Sequence, residues 1–430
     1  MNRALMSKLS RSLLLTFATL VTVTGCGDVR SGFPVAGEID VRHLDIGQYP
    51  IEPIDTYQEY SHTVENGSAL AEIRLMNHLV TGLDVDPNLK YGTGAQNLEK
   101  SWDFERVLSK AGAAAAVQYK PMFGFASGSS DREPDPTGQS IPSATLITLA
   151  VMQFPSSDSA NRAASDIEKA DFDVAPDRNQ SVHLGKYPEA HSHWQPGTPT
   201  IGSVVARGQY VVSTFVQTPD GKLDSLTSLV EKTYDKQLPM LDSLSPLTAE
   251  QVLRLEPGTD DMMRRVINPN QYYLPRNGSL GTYEERGFLQ LQTDRAEAKT
   301  LYESTRIDRF AVSDAYSLMS RDFNSGGNAQ AFGKGIMRNV DGGAVVYRSA
   351  GQSSARDAYD KLLTEPDARS TPKNLPNSKC KQLPDNGYYR QFSCAVQYRN
   401  YVAVTWSRQL DDAQQRAAAQ YALLANSEWM

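Results

Sequence analysis

Three cysteines are the residues whose placement says most about the chemistry of this chain. Cys26 closes the tetrapeptide Val23-Thr24-Gly25-Cys26. An apolar stretch, Leu13 to Val23, precedes it, and the basic residues Arg3, Lys8 and Arg11 precede that. A positive start, a short apolar core and small residues at the cut make a signal peptide, and a cysteine directly after the cut reads as a bacterial lipobox. Its thiol would be acylated and become the first residue of the mature protein. The competing reading is a spanning helix, which needs ~20 apolar residues; about half that number are present. Acyl chains, each buried methylene contributing ~0.8 kcal/mol, would anchor the protein on a membrane without crossing it.

Cys380 and Cys394 remain, 14 positions apart. With Cys26 assigned to lipid they form an even pair, and outside the reducing cytoplasm that predicts a structural disulfide. The intervening Lys381-Gln-Leu-Pro-Asp-Asn-Gly-Tyr-Tyr389 carries turn chemistry. Closing a loop of this size contributes about 3 kcal/mol in the chain-entropy model. A metal site at these cysteines would lack imidazole support, since no histidine follows His193. A redox pair would normally be Cys-x-x-Cys.

His191-Ser-His193-Trp194 is the remaining metal candidate. In an extended segment both imidazoles share one face and could hold Zn²⁺ or Cu²⁺ with His183 or Glu189. The surrounding prolines and glycines favour ordinary loop histidines instead, so no metal and no cofactor is expected. Serine chemistry is no better supported. Ser127 in Gly124-Phe-Ala-Ser127-Gly is misplaced for a nucleophile elbow, and Ser378-Lys-Cys-Lys381 matches Ser-x-x-Lys only in letters. No glycine-rich phosphate cradle is present. The tyrosines, among them Tyr272-Tyr273, Tyr388-Tyr389, Tyr398 and Tyr401, could line a ligand groove, although tyrosines are ordinary in sheets. No catalytic residue is assigned.

What would position these residues is a two-part body. The 430-residue chain has a formal net charge of -7, and losing the three basic signal residues leaves the mature chain at -10. That balance argues against nucleic acid and against broad adhesion to anionic headgroups. Residues 1–25 form the signal, 26–60 a lipidated tether, 61–245 an N-terminal domain, 246–278 a linker and 279–430 a C-terminal domain. Helical periodicity is predicted from Ser68 to Val80 and from Phe104 to about Gly112, and a surface loop over Gly124–Pro142. Then an order of elements recurs. Strand Leu146–Phe154, helix Ser157–Ala170, hairpin Ser203–Phe215 and helix Leu223–Leu238 are echoed by strand Ala344–Arg348, helix Ser354–Leu363, hairpin Phe392–Trp406 and helix Asp411–Leu424. A weaker echo runs through Gly287–Gln292, a helix from Arg295 to Glu303, and strands Asp308–Val312 and Tyr316–Met319. In the two hairpins Tyr210 and Thr214 match Tyr401 and Thr405, four apart on one strand face. This predicts an internal duplication of β-α-β-β-α units and an α+β fold, each half an antiparallel sheet with helices on one face.

The lipobox, Asp45-Ile-Gly-Gln-Tyr-Pro50, Ile307-Asp-Arg-Phe-Ala311 and the duplicated layout resemble a family of two-domain actinobacterial lipoproteins of unknown function. The resemblance spans most of the mature chain. It implies a lipoprotein on the outer face of the plasma membrane and brings no activity with it. The expected role is a non-catalytic binding module for a lipid, glycan or protein. A hydrolase assembled from distant residues and a structural envelope protein are the alternatives.

Overall fold

The computed structural model describes residues 39–430 except 56–59, 136–140, 259, 269–279, 314–341, 368–369, 376–377, 384–389 and 429–430. Cys26, the signal segment, Tyr272-Tyr273, Tyr388-Tyr389 and the strand expected at 316–319 lie outside the described residues. Val41–Met430 forms one compact unit, built as two lobes around two antiparallel sheets.

The first sheet runs in the order β1 (Tyr91–Asn97), β2 (Phe123–Ser130), β3 (Leu146–Gln153), β7 (Tyr210–Gln217), β6 (Thr200–Arg207), β5 (His191–Trp194) and β4 (Gln180–Ser181). Alternation in β3 shows why it is central. Ile147, Leu149 and Val151 join one buried cluster, while Ala150 and Met152 join another across the sheet. The first cluster is closed by α1 (Val64–Met76) and α6 (Leu223–Asp242), the second by α4 (Lys110–Gln118) and α5 (Ser157–Phe172), the one-turn helices α2 (Gly82–Val85) and α3 (Ser101–Phe104) lying between α1 and α4 in the chain. Helices therefore cover both faces rather than one, because these strands are apolar on both sides.

Several local expectations shift for identifiable reasons. Helix α1 starts at Val64, because Thr63 caps it by accepting from Asn66 N, so Ser68 lies inside. Gly112 does not end a helix. Ser109 caps α4 through the Gly112 amide, and the alanine run carries the helix on to Gln118. The loop expected over Gly124–Pro142 is β2 as far as Ser130, buried throughout. Its glycines and serines mark a strand that must stay thin, and they carry no apolar alternation to announce it. Gly287–Gln292 is not a strand either. A short helix α8 (Glu285–Leu289) occupies it, and the edge strand is β8 (Leu280–Tyr283).

The second sheet runs β11 (Ser378–Gln382), β12 (Phe392–Tyr398), β13 (Tyr401–Ser407), β10 (Gly342–Ser349), β9 (Ile307–Ser313), β8. Helix α9 (Arg295–Thr305) joins β8 to β9, α10 (Gln352–Leu362) follows β10, and α11 (Leu410–Asn426) follows β13. Setting β8 on β1, β9 on β2, β10 on β3, β11 on β5, β12 on β6 and β13 on β7 gives the two sheets one strand order. Helices α10 and α11 then fall where α5 and α6 do. The duplication extends to single residues. Thr214 pairs with Ser203, and Ser203 with Ser192; Thr405 pairs with Cys394, and Cys394 with Cys380. One lobe has a Ser192–Ser203 hydrogen bond of 2.7 Å where the other has the Cys380–Cys394 disulfide, with S–S 2.02 Å.

The lobes share a seam. Arg295, fully buried, reaches from α9 into the first sheet. Its Nη1 donates to Ser129 Oγ at 2.6 Å, its Nη2 to Ser127 Oγ at 2.8 Å, and its Nε to Leu289 O at 3.0 Å. Burial lowers its pKa to about 10, so it still carries its charge at neutral pH. Within residues 246–278, expected as a linker, α7 (Ala249–Leu253) packs on α1, and Gln420 of α11 clamps Arg265 O and Ile267 N. The tether region also joins the body. Tyr49 OH donates to Asp412 Oδ1, Arg416 lies 4.8 Å from the Tyr49 ring, and Asn426 donates to Ile51 O. Residues 41–55 thus form a strap on α11.

Candidate functional site

The anomaly in the first lobe is Phe215. It sits on β7, an inner strand, yet is 42% exposed. Exposed apolar rings are unremarkable on edges and loops, whereas mid-sheet one is informative. Continuous register puts Phe215 in a row with Thr148 of β3, Gly202 of β6 and His193 of β5. This row lies on the face covered by α4 and α5, towards the C-terminal end of α5. Over the neighbouring residues Ala126, Ala150 and Val204 the helices pack closely, through Ala160, Ala163 and Ala164. Small contacts keep the helices near the sheet there and leave the Phe215 row partly open.

Gly202 forms the floor between Phe215 and His193. A Cβ at this glycine would meet only His193 Cε1 at 3.7 Å and Asp171 Oδ2 at 3.8 Å, so the space above it is open apart from one wall. That wall is polar. His193 Nδ1 lies 3.1 Å from Glu168 Oε1 and its Nε2 lies 3.8 Å from Asp171 Oδ2. Phe172 meets the imidazole edge-on at 5.8 Å. With strands ~4.8 Å apart, the Phe215 and His193 backbones stand roughly 10 Å from each other, which leaves a slot one strand wide. One wall is an apolar ring, the other a histidine between two carboxylates.

The duplicated lobe closes the same place. Trp406 matches Phe215, Gly343 matches Thr148, Ser393 matches Gly202 and Lys381 matches His193. Trp406 is fully buried, its indole so close over Gly343 that a Cβ there would collide with it. On the same face, towards the Val402 end of the strands, Phe288, Tyr302, Phe310 and Tyr347 form a ring cluster where alanines line the first lobe.

The expected site residues are dispersed. His191 and His193 do share a face of one strand, but of β5 rather than a loop, and the partners of His193 are α5 carboxylates. Among the described residues no group of three histidine, cysteine or carboxylate side chains is arranged to hold a metal. Ser192, beside His193 in sequence, points to the opposite face, where its hydroxyl joins Ser203 and the Tyr234 hydroxyl, all buried. The Ser192 hydroxyl is thus not one that His193 can activate. Ser127 is an acceptor for Arg295, and Ser378 donates to Leu375 O. Tyr398 bonds Glu428 and meets Tyr421 edge-on, while Arg265 lies over Tyr401 at 5.0 Å. A buried acid went unsuspected. Glu72 of α1 is fully enclosed, and its carboxyl finds no hydrogen-bond donor, only the Glu99 carboxyl within reach. Burial first, then the negative Glu99 and Asp103, raise its pKa well above the usual carboxyl range. Phe215, Gly202, Glu168 and Asp171 carry no motif; only the sheet register brings them together.

Two family models match the chain. Residues 58–257 fit the domain of unknown function DUF7373, N-terminal part, and residues 262–427 fit its C-terminal part. No curated protein matches. Among solved structures, the extracellular domain of PknH from Mycobacterium tuberculosis aligns over 45% of this chain and 100% of its own length, at 11% identity and a TM-score of 0.27. No described helix is long and apolar enough to cross a membrane.

Proposed function

We propose that this chain, which belongs to the DUF7373 family, is a non-catalytic binding module of a bacterial envelope. Cys26, acylated after signal cleavage, anchors it to the outer face of the plasma membrane, and the open slot of the first lobe takes the ligand. The observation that carries the reading is the exposure of Phe215 on an inner strand, beside a glycine floor, where its counterpart Trp406 is sealed. Leaving part of a ring in water forgoes about 1 kcal/mol of burial, a cost that a ligand contact would account for. The histidine at the slot lies between carboxylates, and the neighbouring Ser192 hydroxyl faces away from it, which favours binding over hydrolysis.

Two measurements test the two parts. Metabolic labelling with an alkyne fatty acid should mark the wild-type protein and not Cys26→Ser, and the variant should leave the membrane fraction. Unchanged fractionation of the variant would remove the anchor. Envelope extracts passed over immobilised wild-type and Phe215→Ala protein should give a ligand retained by the first alone. Equal retention would remove the slot.

A further inference from the structure

We infer that the ligand group entering the Phe215 slot is the guanidinium of an arginine side chain on a partner polypeptide. The inference rests on the binding reading above and adds the chemistry of the ligand. Several of the chain's other aromatic rings are covered by its own cations. Lys100 stands 5.0 Å from the Trp102 ring, Lys379 4.3 Å from Tyr359 and Arg416 4.8 Å from Tyr49. Trp102 is the instructive case, for it is as exposed as Phe215 and still carries its lysine. Among the described residues no cation stands over Phe215, and the nearest groups across the slot are acidic.

Glu168 and Asp171 set two carboxylates against one imidazole. Glu168 is 14% exposed and Asp171 40%, so Asp171 is the one open to an incoming group. In the duplicated lobe the His193 position is held by a cation, Lys381, whose Nζ donates to Thr364 O. A guanidinium meets every constraint of the open slot. It is flat enough to lie on a ring face. Its fork matches one carboxylate, and its apolar stem can run along the Gly202 floor. A neutral sugar would use the ring and leave the charge of the wall unanswered.

The test uses the full acylated chain in detergent with three peptides: acetyl-Gly-Arg-Gly-Arg-Gly-amide and its lysine and glutamine counterparts, with a neutral oligosaccharide, maltohexaose, alongside. The arginine peptide should shift the amide resonances of Gly202 and Phe215, bind about tenfold tighter than the glutamine peptide, and weaken with salt. Asp171→Asn and Phe215→Ala should each cost about tenfold, with circular dichroism unchanged. Equal binding of arginine and glutamine peptides overturns the inference. Binding of maltohexaose that needs Phe215 but not Asp171 also overturns it, and leaves the binding reading standing. No shift at Gly202 or Phe215 with any probe, together with equal retention of wild type and Phe215→Ala on envelope extracts, overturns both.

Discussion

The two lobes place an aromatic ring at one corresponding position and do opposite things with it. In the second, Trp406 lies over Gly343, on a face that also carries a cluster of phenylalanine and tyrosine, and is out of water. In the first, Phe215 faces an alanine-lined helix layer that stops short of it. One scaffold therefore serves two ends. Large rings between sheet and helix seal a face and stabilise it. Alanines draw the helices down over part of the face and leave the remainder open. The difference cannot come from topology, which is the same in both, and is written in side-chain volume.

That contrast can be broken most decisively at the rings. Trp406→Ala should cost about 3–5 kcal/mol by cavity formation, read from urea unfolding of the full chain; Trp406→Phe should recover more than half. A small loss for the alanine variant would mean that the second face is not sealed by this ring.

The paired side chains beneath the helices sharpen the comparison next. Cys380→Ser with Cys394→Ser should cost about 3 kcal/mol of loop-closure stabilisation. About 1 kcal/mol should return if the two hydroxyls bond as Ser192 and Ser203 do, so the serine pair should be more stable than the alanine pair. The reverse exchange, Ser192→Cys with Ser203→Cys, should form a disulfide under air, detected by a mass loss on unreduced peptide mapping and by a higher Tm. Failure to form it would argue that the two positions are not geometrically equivalent.

A third test concerns Glu72, an acid peculiar to the first lobe. Its folded-state pKa is raised, so the native state binds the proton more tightly than the unfolded chain. Stability is then greatest below the ordinary carboxyl value near 4.5. It declines as pH rises from there towards the folded value. Glu72→Gln should flatten that part of the stability–pH curve. An unchanged slope would show that Glu72 is not the group responsible.

The smallest effect is the most telling. Phe215→Ala should cost about 1 kcal/mol, against the large loss at Trp406, because its ring is already partly in solvent. A cost near that of Trp406 would mean that the slot is closed in solution.

Much of this architecture was legible from periodicity. The alternation of β3, the cap and alanines of α5, and the Tyr–Thr hairpins of both halves lie within short windows, and they located the duplicated core. Strands β1 and β2 escaped because Tyr-Gly-Thr-Gly-Ala-Gln-Asn and Phe-Gly-Phe-Ala-Ser-Gly-Ser-Ser have no apolar period. Ser127 and Ser129 become intelligible only once Arg295, 168 and 166 residues away, bonds to them. The slot was illegible for the same reason. Phe215 reads as an ordinary strand residue until Gly202 and the C-terminal end of α5 are set beside it.

The strap on α11 bears on the order in which the molecule can assemble. Tyr49 and Asp412 are 363 positions apart, and contacts of such separation form late, since the intervening chain must first be brought to closure. A chain delivered amino end first would hold residues 41–55 unattached while both sheets took shape, and α11 would complete their seat. Docking of the strap would then report a finished body. A protease that cuts only unattached strap would distinguish completed molecules from stalled ones.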